Sequence, residues 1–488
     1  MSSGASRVVV VGAGVGGLAV AARLACLGHA VTLVEAADTV GGKLGTLEYA
    51  GFRFDTGPSL LTMPAVFEEL FATTGGWPAG LELERLDPIA RYRFADGSTF
   101  CTGAGVFEEL EAWSPGSAAD WRAFLDRAER IWRASKAPFL ESALHGSRSL
   151  AALTLKHPGD LATLAPGRSL RDLGRRHLRD PRLRMVLDRY ATYTGSDPRR
   201  APAALAAIPW VEHAFGGWYV QGGLRRLADV LLTRCLEVGV EVRTGTRVTR
   251  VLVQGRVTGV QLADGRTLPA DVVVANADAA HLYGELVRCP SAERRLARAT
   301  PSLSGFVLLL ALRGRSEGRA HHEVLFPTDY DAEFDAVFGD PARPVPDPTL
   351  YVSVPPDGAP DGHEAWFVLV NAPRDGQGRG AVDWRAPGAR EAYAEHLLDR
   401  LAARGLPVRD RVVWQQALSP ADLADRTGAV GGAIYGTSSN GATAAFLRPA
   451  NRSPVPGLFL VGGSSHPGGG LPLVALSARI VSGLVGSA

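Results

Sequence analysis

The first 35 residues hold the feature that most restricts how this 488-residue chain can fold. The run of four valines after Arg7 is typical of a buried parallel strand. Alanine and leucine dominate Leu18–Leu27 and predict a helix, which Gly28 can end. Val31–Val34 then predicts a second strand. Because parallel strands must be joined by a crossover, this order predicts a βαβ unit and an α/β fold with a parallel sheet.

Three glycines and one acid occupy the positions of a dinucleotide-binding site within that unit. Gly12 permits the tight turn after the first strand, Gly14 lets the backbone approach a pyrophosphate, and Gly17 lets the helix pack on the sheet. The amides at the helix N-terminus then face the phosphates. Glu35 follows Gly17 by 18 residues and ends the second strand, where such folds place the acid that binds a ribose hydroxyl. The sequence therefore predicts a bound dinucleotide.

Composition excludes several classes of protein. The 52 Lys and Arg residues nearly balance the 50 Asp and Glu residues and are scattered, so we expect no nucleic-acid partner. The four cysteines lie far apart, and the neighbouring His321 and His322 would point to opposite faces of a strand, so we expect no metal site. No window offers the ~18 apolar residues of a membrane-spanning helix, and a cytoplasmic protein is expected.

Further glycine-rich segments recur along the chain. Gly42-Lys43 and Gly57-Pro58 come soon after Glu35, where an ordinary dinucleotide domain has no use for them. At the C-terminus an apolar strand at 456–461 runs into a glycine-rich loop and then a helix. A second helix N-terminus is therefore expected to face an anionic or dipolar partner.

These motifs resemble those of the two-dinucleotide-binding-domain flavoproteins, the class that includes amine oxidases, protoporphyrinogen oxidase and carotenoid desaturases. The segment 457–480 is similar to the C-terminal motif of bacterial phytoene-desaturase-type carotenoid desaturases, and the loop 216–224 resembles their aromatic and glycine-pair loop. Leu473 after Pro472 looks more like the hydroxycarotenoid 3,4-desaturase branch.

The resemblance implies FAD as the cofactor and a set of residues that bind it. By that resemblance the cofactor-binding residues are Gly12, Gly14, Gly17, Glu35, Gly42, Lys43, Gly57, Pro58, Val248, Gly463, Ser464, Pro472 and Leu473. His466 is the titratable group of the C-terminal loop and is a candidate for chemistry or for holding the loop in place. Asn276 and Asp278 are expected in capping or turn roles.

The resemblance also implies a Rossmann-like FAD-binding domain built from split segments, with an interleaved α+β substrate domain. The FAD-binding domain is expected at 1–90, 216–290 and 431–488, and the substrate domain at 91–215 and 291–430. The first substrate segment is expected to be a helical, membrane-facing lobe. Within it, 178–198 predicts an amphipathic helix with a solvated arginine face, and 341–360 in the second predicts a loop rich in Pro and Asp.

The expected activity is FAD-dependent desaturation of a long apolar polyene, phytoene-type or hydroxylated. Loss of hydride beside a conjugated chain leaves a stabilised cation, so the sequence needs no strong catalytic base. Peripheral membrane contact and an electron acceptor, oxygen or a quinone, follow as expectations. The alternatives are a carotene cis-trans isomerase, an amine oxidase, or a non-catalytic binding protein similar to GDP-dissociation inhibitors.

Overall fold

A five-stranded parallel sheet carries the N-terminal βαβ unit. The computed structural model describes residues 5–143, 163–441, 444 and 448–488. In spatial order the sheet contains β21 (Leu458–Leu460), β13 (Val272–Ala275), β1 (Arg7–Val11), β2 (Ala30–Val34) and β9 (Glu241–Arg243). Every neighbouring pair is parallel. Strands that are distant in sequence therefore form one sheet, with β1 at its centre.

Both faces of the parallel sheet are covered. On one face lie three helices, α1 (Val15–Cys26), α8 (Arg225–Glu237) and α14 (Leu471–Val485), which share one apolar core with the sheet. On the other face lies a three-stranded antiparallel sheet of β10 (Val248–Gln254), β11 (Arg256–Leu262) and β12 (Thr267–Pro269). Strands buried on both faces explain the unbroken valine run. The predicted Rossmann-like α/β fold is confirmed.

A seven-stranded mixed sheet forms the second body of the fold. In spatial order it contains β20 (Val412–Leu418), β14 (Ser304–Arg313), β17 (His363–Ala372), β16 (Leu350–Ser353), β15 (His322–Leu325), β6 (Ala90–Arg93) and β7 (Thr99–Thr102). All its pairs are antiparallel except β15 with β6. The buried carboxylate of Glu323 on β15 accepts hydrogen bonds from Arg91, Arg93 and Arg319 at this parallel junction.

The remaining elements complete a helical lobe and the connections. The helices are α2 (Ala65–Ala72), α3 (Val106–Trp113), α4 (Ser117–Ser135), α5 (Leu170–His177), α6 (Pro181–Arg189), α7 (Ala207–Phe215), α9 (Ala279–His281), α10 (Pro290–Arg298), α11 (Asp331–Phe338), α12 (Ala389–Ala403) and α13 (Pro420–Thr427). Short strand pairs are β3 (Thr46–Tyr49) with β4 (Phe52–Asp55), β5 (Leu83–Arg85) with β8 (Trp218–Val220), and β18 (Arg374–Asp375) with β19 (Ala381–Val382). Helices α3 to α6 share a core with β6 and β7, which confirms a helical region there.

The prediction of a Pro- and Asp-rich loop at 341–360 was wrong for its middle part, where the chain forms β16 (Leu350–Ser353). Leu350 and Val352 are buried there and complete the sheet between β15 and β17, a tertiary pairing that local composition does not reveal. Residues 144–162 of the expected helical lobe lie outside the described residues, and the domain boundaries stay a prediction.

Across 5–143, 163–441, 444 and 448–488, no helix has both the length and the apolar character to cross a bilayer.

Candidate flavin site and adjoining cavity

The loop between β1 and α1 has the geometry that a pyrophosphate requires. Gly12 has a φ of +97°, which favours glycine, and a Cβ placed on Gly17 would lie 1.9 Å from the Gly12 carbonyl oxygen. Helix α1 begins after Gly14 without a side-chain cap, so its first amides are free to meet an anion. Glu35 is drawn to the same loop, since its Oε2 accepts a 2.7 Å hydrogen bond from the Ala13 N–H. Three glycines and one acid thus meet as the sequence predicts.

A half-buried asparagine, Asn276, joins this loop to the C-terminal glycine loop. A Cβ on Gly14 would lie 2.7 Å from Asn276 Nδ2, and one on Gly462 would lie 2.7 Å from Asn276 Oδ1. Asn276 directly follows β13, the strand that lies between β1 and β21. Its amide therefore packs between two loops more than 400 residues apart in sequence. The nearby Asp278 caps α9 through the Ala280 N–H at 2.9 Å, which confirms its capping role.

The second glycine pair packs against the first loop. A Cβ on Gly42 would lie 3.3 Å from the Gly14 Cα, and a Cβ on Gly57 would lie 1.9 Å from the Lys43 carbonyl oxygen. The ammonium of Lys43 donates hydrogen bonds to the carbonyls of Ala433 (3.3 Å) and Ile434 (2.5 Å). Burial lowers the pKa of Lys43. The structure thus directs this ammonium at backbone carbonyls, and its contact with a phosphate stays a prediction.

The C-terminal loop completes the same region. Ser464 Oγ accepts a 2.9 Å hydrogen bond from the Ala279 N–H, and the Gly463 carbonyl accepts one of 3.0 Å from Arg448. Helix α14 begins at Leu471, with Pro472 in its first turn. Proline suits this position because the first helical amides have no partner within the helix.

The last two predicted residues are Val248 and His466. Val248 begins β10 and packs near Val11 and Val34, at the carboxyl end of the parallel sheet. His466 is buried, and its Nε2 lies 3.0 Å from the Ser142 carbonyl oxygen. Burial lowers the pKa of His466 to about 4. A neutral imidazole held by a carbonyl fits the loop-holding role, and its part in any chemistry stays a prediction.

An apolar cavity of about 390 Å³ opens beside these loops. Gly57, Pro58, Pro472 and Leu473 form one end of its wall, and Trp132 from the helical lobe forms another part. Among the other side chains that line it are Leu60, Met63, Phe139, Leu140, Leu205, Ile208, Val211, Leu303, Phe367 and Leu369. Such a mostly apolar cavity with a few polar groups is typical of a small-molecule site.

Two charged side chains in this wall were missed by the sequence analysis. Arg189 and Glu212 line the cavity and are only 9% and 4% exposed. The expected solvated arginine face at 178–198 was therefore wrong at Arg189, because the end of α6 is turned toward the cavity. The local sequence contains no signal for this, because Asp188 and Arg189 stand side by side as they would on a solvated face.

Arg448, the other buried arginine of the wall, is held by backbone carbonyls. Its guanidinium donates hydrogen bonds to the carbonyls of Tyr435 (2.9 Å), Thr437 (2.7 Å) and Gly463 (3.0 Å). Burial lowers its pKa to about 10. Arg448 thus ties the segment 435–437 to the C-terminal glycine loop.

The residues present fit a bound dinucleotide flavin. The glycine positions leave open backbone where a side chain would collide with Asn276 or with loop carbonyls, and two helix N-termini without side-chain caps border the region. A search of the described ranges, 5–143, 163–441, 444 and 448–488, finds no cluster of three or more His, Cys, Asp or Glu able to hold a metal ion.

Curated proteins similar to this chain match over nearly its whole length. A hydroxyneurosporene desaturase of Cereibacter sphaeroides is 39% identical over 97% of this chain and 96% of its own. A 4,4'-diapolycopene oxygenase of Methylomonas sp. is 35% identical, over 97% of both chains. A 1-hydroxycarotenoid 3,4-desaturase of Flavobacterium sp. (strain P99-3) is 32% identical over 98% of this chain and 99% of its own.

A solved structure and a family model agree with this comparison. The cyclohexylamine oxidase of Brevibacterium oxydans shares the fold, with a TM-score of 0.65, 15% identity and 98% of both chains covered. The model of the flavin containing amine oxidoreductases matches residues 15–485. The chain belongs to the flavin containing amine oxidoreductase family. It is an FAD-dependent oxidoreductase whose curated relatives include carotenoid desaturases, as the motifs predict.

Proposed function

We propose that this oxidoreductase is a carotenoid desaturase, which introduces a double bond into a long polyene. The observation that carries the proposal is the apolar cavity, which runs from the helical lobe to Pro58, Pro472 and Leu473. The curated relatives support it, since those named as desaturases match this chain over nearly its whole length.

We propose that FAD lies along the glycine loops, with its ribose at Glu35, its pyrophosphate at Gly12, Gly14 and Gly17, and its ring beside Pro472 and Leu473. FAD supplies, when bound, an acceptor for the hydride that leaves the polyene. The adjacent carbon then loses a proton to a weak base, and the two C–H bonds are replaced by one additional C=C bond. The chain's own task is to bind the polyene in the cavity and to exclude water beside the reacting carbons.

The cavity wall agrees with a reaction that needs no strong base. His466 is neutral near pH 7 because burial lowers its pKa to about 4. Its Nε2 is engaged with the Ser142 carbonyl. Among the described residues of the wall, no serine or cysteine is paired with a histidine as a nucleophile would require. Orientation and desolvation are therefore the chain's main contributions.

The test is conversion of defined carotenoids by the FAD-loaded protein. Purified protein is incubated with liposomes that contain phytoene, neurosporene or a hydroxylated carotene, and the products are analysed by absorption, chromatography and mass. We expect a red-shifted product that is two hydrogens lighter than its substrate. Oxygen and a soluble quinone, supplied separately, identify the acceptor that reoxidises FAD. Flavin-free protein is the control.

Other products would contradict the proposal in distinct ways. Isomers of unchanged mass would identify a cis-trans isomerase. A product heavier than its substrate by an oxygen atom would identify an oxygenase. Oxidation of amines with carotenoids untouched would identify an amine oxidase. A colourless protein that gains no flavin spectrum on addition of FAD would indicate a binding protein.

We also propose that the protein contacts membranes peripherally, since its substrate would be dissolved in a bilayer. Trp132 of the cavity wall packs against Trp210 and Phe215, with ring centroids 5.7 and 6.1 Å away. Phe215 is 38% exposed at the end of α7. This aromatic group supports the proposal because it extends from the cavity wall to the surface.

A further inference from the structure

Arg189 and Glu212 have hydrogen-bonding capacity that the described residues do not use. Arg189 Nη1 donates a 2.7 Å hydrogen bond to Tyr193 Oη, and no described residue accepts from its other donors. Glu212 Oε1 accepts a 2.6 Å hydrogen bond from Tyr190 Oη, and no described residue donates to Oε2. Both side chains face the cavity. Donors and an acceptor are therefore available to a molecule bound there.

The two charges do not neutralise each other directly. Among the described residues no carboxylate lies within 4.0 Å of the Arg189 guanidinium. Its guanidinium carbon lies 5.1 Å from the ring centre of Tyr193 and 5.4 Å from that of Tyr351. Arg448 differs in this respect, because three carbonyls accept its hydrogen bonds. Backbone carbonyls account for the Arg448 guanidinium, whereas the donors of Arg189 and the oxygen of Glu212 that the described residues leave free face the cavity and are open to a bound molecule.

A hydroxyl group on the bound molecule can form hydrogen bonds with both residues. Its oxygen accepts a hydrogen bond from Arg189, while its hydrogen is donated to Glu212 Oε2. A carbonyl oxygen would satisfy only the arginine. A pure hydrocarbon would satisfy neither and would cover both charged groups without compensation.

The position of the pair relates this hydroxyl to the reacting carbons. Tyr351, which faces Arg189, shares a 2.6 Å hydrogen bond between its Oη and Ser59 Oγ. Ser59 follows Pro58, and both line the cavity at its proposed flavin end. A hydroxyl held by Arg189 therefore belongs to the end of the polyene that lies nearest the flavin.

From this arrangement we infer that Arg189 and Glu212 form a polar subsite that binds a hydroxyl group near the reacting end of the polyene. The inference rests on the proposed desaturase function and adds the residues that select the substrate. Tyr190 and Tyr193 act as positioning residues, because Tyr190 donates a hydrogen bond to Glu212 and Tyr193 accepts one from Arg189.

The test compares a hydroxylated acyclic carotene with the same carotene lacking the hydroxyl. For the wild-type holoenzyme we expect a kcat/KM ratio of about 100 or more in favour of the hydroxylated substrate, because a site built to hydrogen-bond a hydroxyl rejects the analogue without it. We expect Glu212→Met and Arg189→Met each to lower that ratio about 10-fold or more. The conservative Glu212→Gln, which keeps the shape, is expected to lower it less.

Ile208→Val is the matched control, because Ile208 lines the same cavity one helical turn before Glu212 and carries no polar group. It is expected to change the kinetics with both carotenes alike and to keep their ratio. A flavin spectrum equal to that of the wild type shows that each variant is folded and loaded with FAD.

A binding measurement decides the inference even without turnover. Quenching of tryptophan fluorescence, with Trp132 in the cavity wall, gives the Kd of each carotene for the holoenzyme. We expect tighter binding of the hydroxylated carotene and loss of that preference in the methionine variants. Equal Kd values in the wild type, or an unchanged preference in both variants, would overturn the subsite. Failure to convert either carotene would overturn the proposed function, and the Kd values would still decide the subsite.

Discussion

At the scale of single residues, the flavin site depends on close contacts between two segments of backbone, which only glycine permits. Gly17 shows this most directly, since an added Cβ would lie 1.9 Å from the Gly12 carbonyl oxygen. A carbonyl in a tight turn cannot rotate aside as the end of a side chain can. The position therefore tolerates no side chain while the loop keeps its shape.

Gly17→Ala is expected to destabilise the protein by about 1–3 kcal/mol and to abolish the flavin spectrum, because α1 must move away from the sheet. Thermal unfolding and flavin absorbance measure the two effects. Gly483→Ala is the matched control, since nothing lies within 4 Å of a Cβ there and the residue is helical. That control is expected to stabilise α14 by about 0.5–1 kcal/mol. Gly17→Ala with normal flavin content would contradict the assigned packing.

At the scale of elements, the parallel sheet is tied together where its strands begin. Asp271 precedes β13 and accepts hydrogen bonds from Arg7 at the start of β1: 2.9 Å from the backbone N–H and 2.9 Å from Nη2. These hydrogen bonds hold the pKa of Asp271 down at about 2. The side chains are 58% and 44% exposed, so solvent screening keeps the contribution of this pair to stability small.

The sign of the pH dependence follows from the lowered pKa. An unfolded aspartate has a pKa of about 3.9, so the contribution of Asp271 to stability is present above pH ~4 and is lost as the pH falls toward about 2. Asp271→Asn is therefore expected to lower the free energy of unfolding at pH 7 and to match the wild type increasingly as the pH approaches 2. Urea unfolding at pH 7, 5, 4 and 3 measures the difference. Glu48→Gln, at an exposed residue of β3, is the control, and a constant difference across this range would contradict the pairing.

At the scale of the whole molecule, the aromatic group at the end of α7 predicts how the protein meets a membrane. Phe215→Ser is expected to reduce the fraction of protein that sediments with liposomes, because it removes exposed apolar surface beside the cavity wall. Val413→Ser changes a similarly exposed residue, 40% accessible, on the edge strand β20, and is expected to leave sedimentation unchanged. If the wild type fails to sediment at any salt concentration, membrane contact is excluded.

The sequence predicts those parts of the molecule whose residues lie close together along the chain. It does not predict contacts between segments that are distant in sequence. The valine strand, the glycines and Glu35 follow one another within 35 residues, so their arrangement could be predicted from spacing alone. The place of Asn276 between two distant loops could not, because it depends on the order of β21, β13 and β1 in the sheet. Arg189 could not either, since burial at the end of a helix is decided by what packs around it.

Asn276 also bears on how the protein is made. Its amide meets Gly14 and also Gly462, which is synthesised more than 400 residues later. A nascent chain that stops before β21 therefore has half of the proposed flavin pocket and an unpaired edge on β13. Binding of FAD along both glycine loops would therefore require that the chain has been synthesised beyond Gly462.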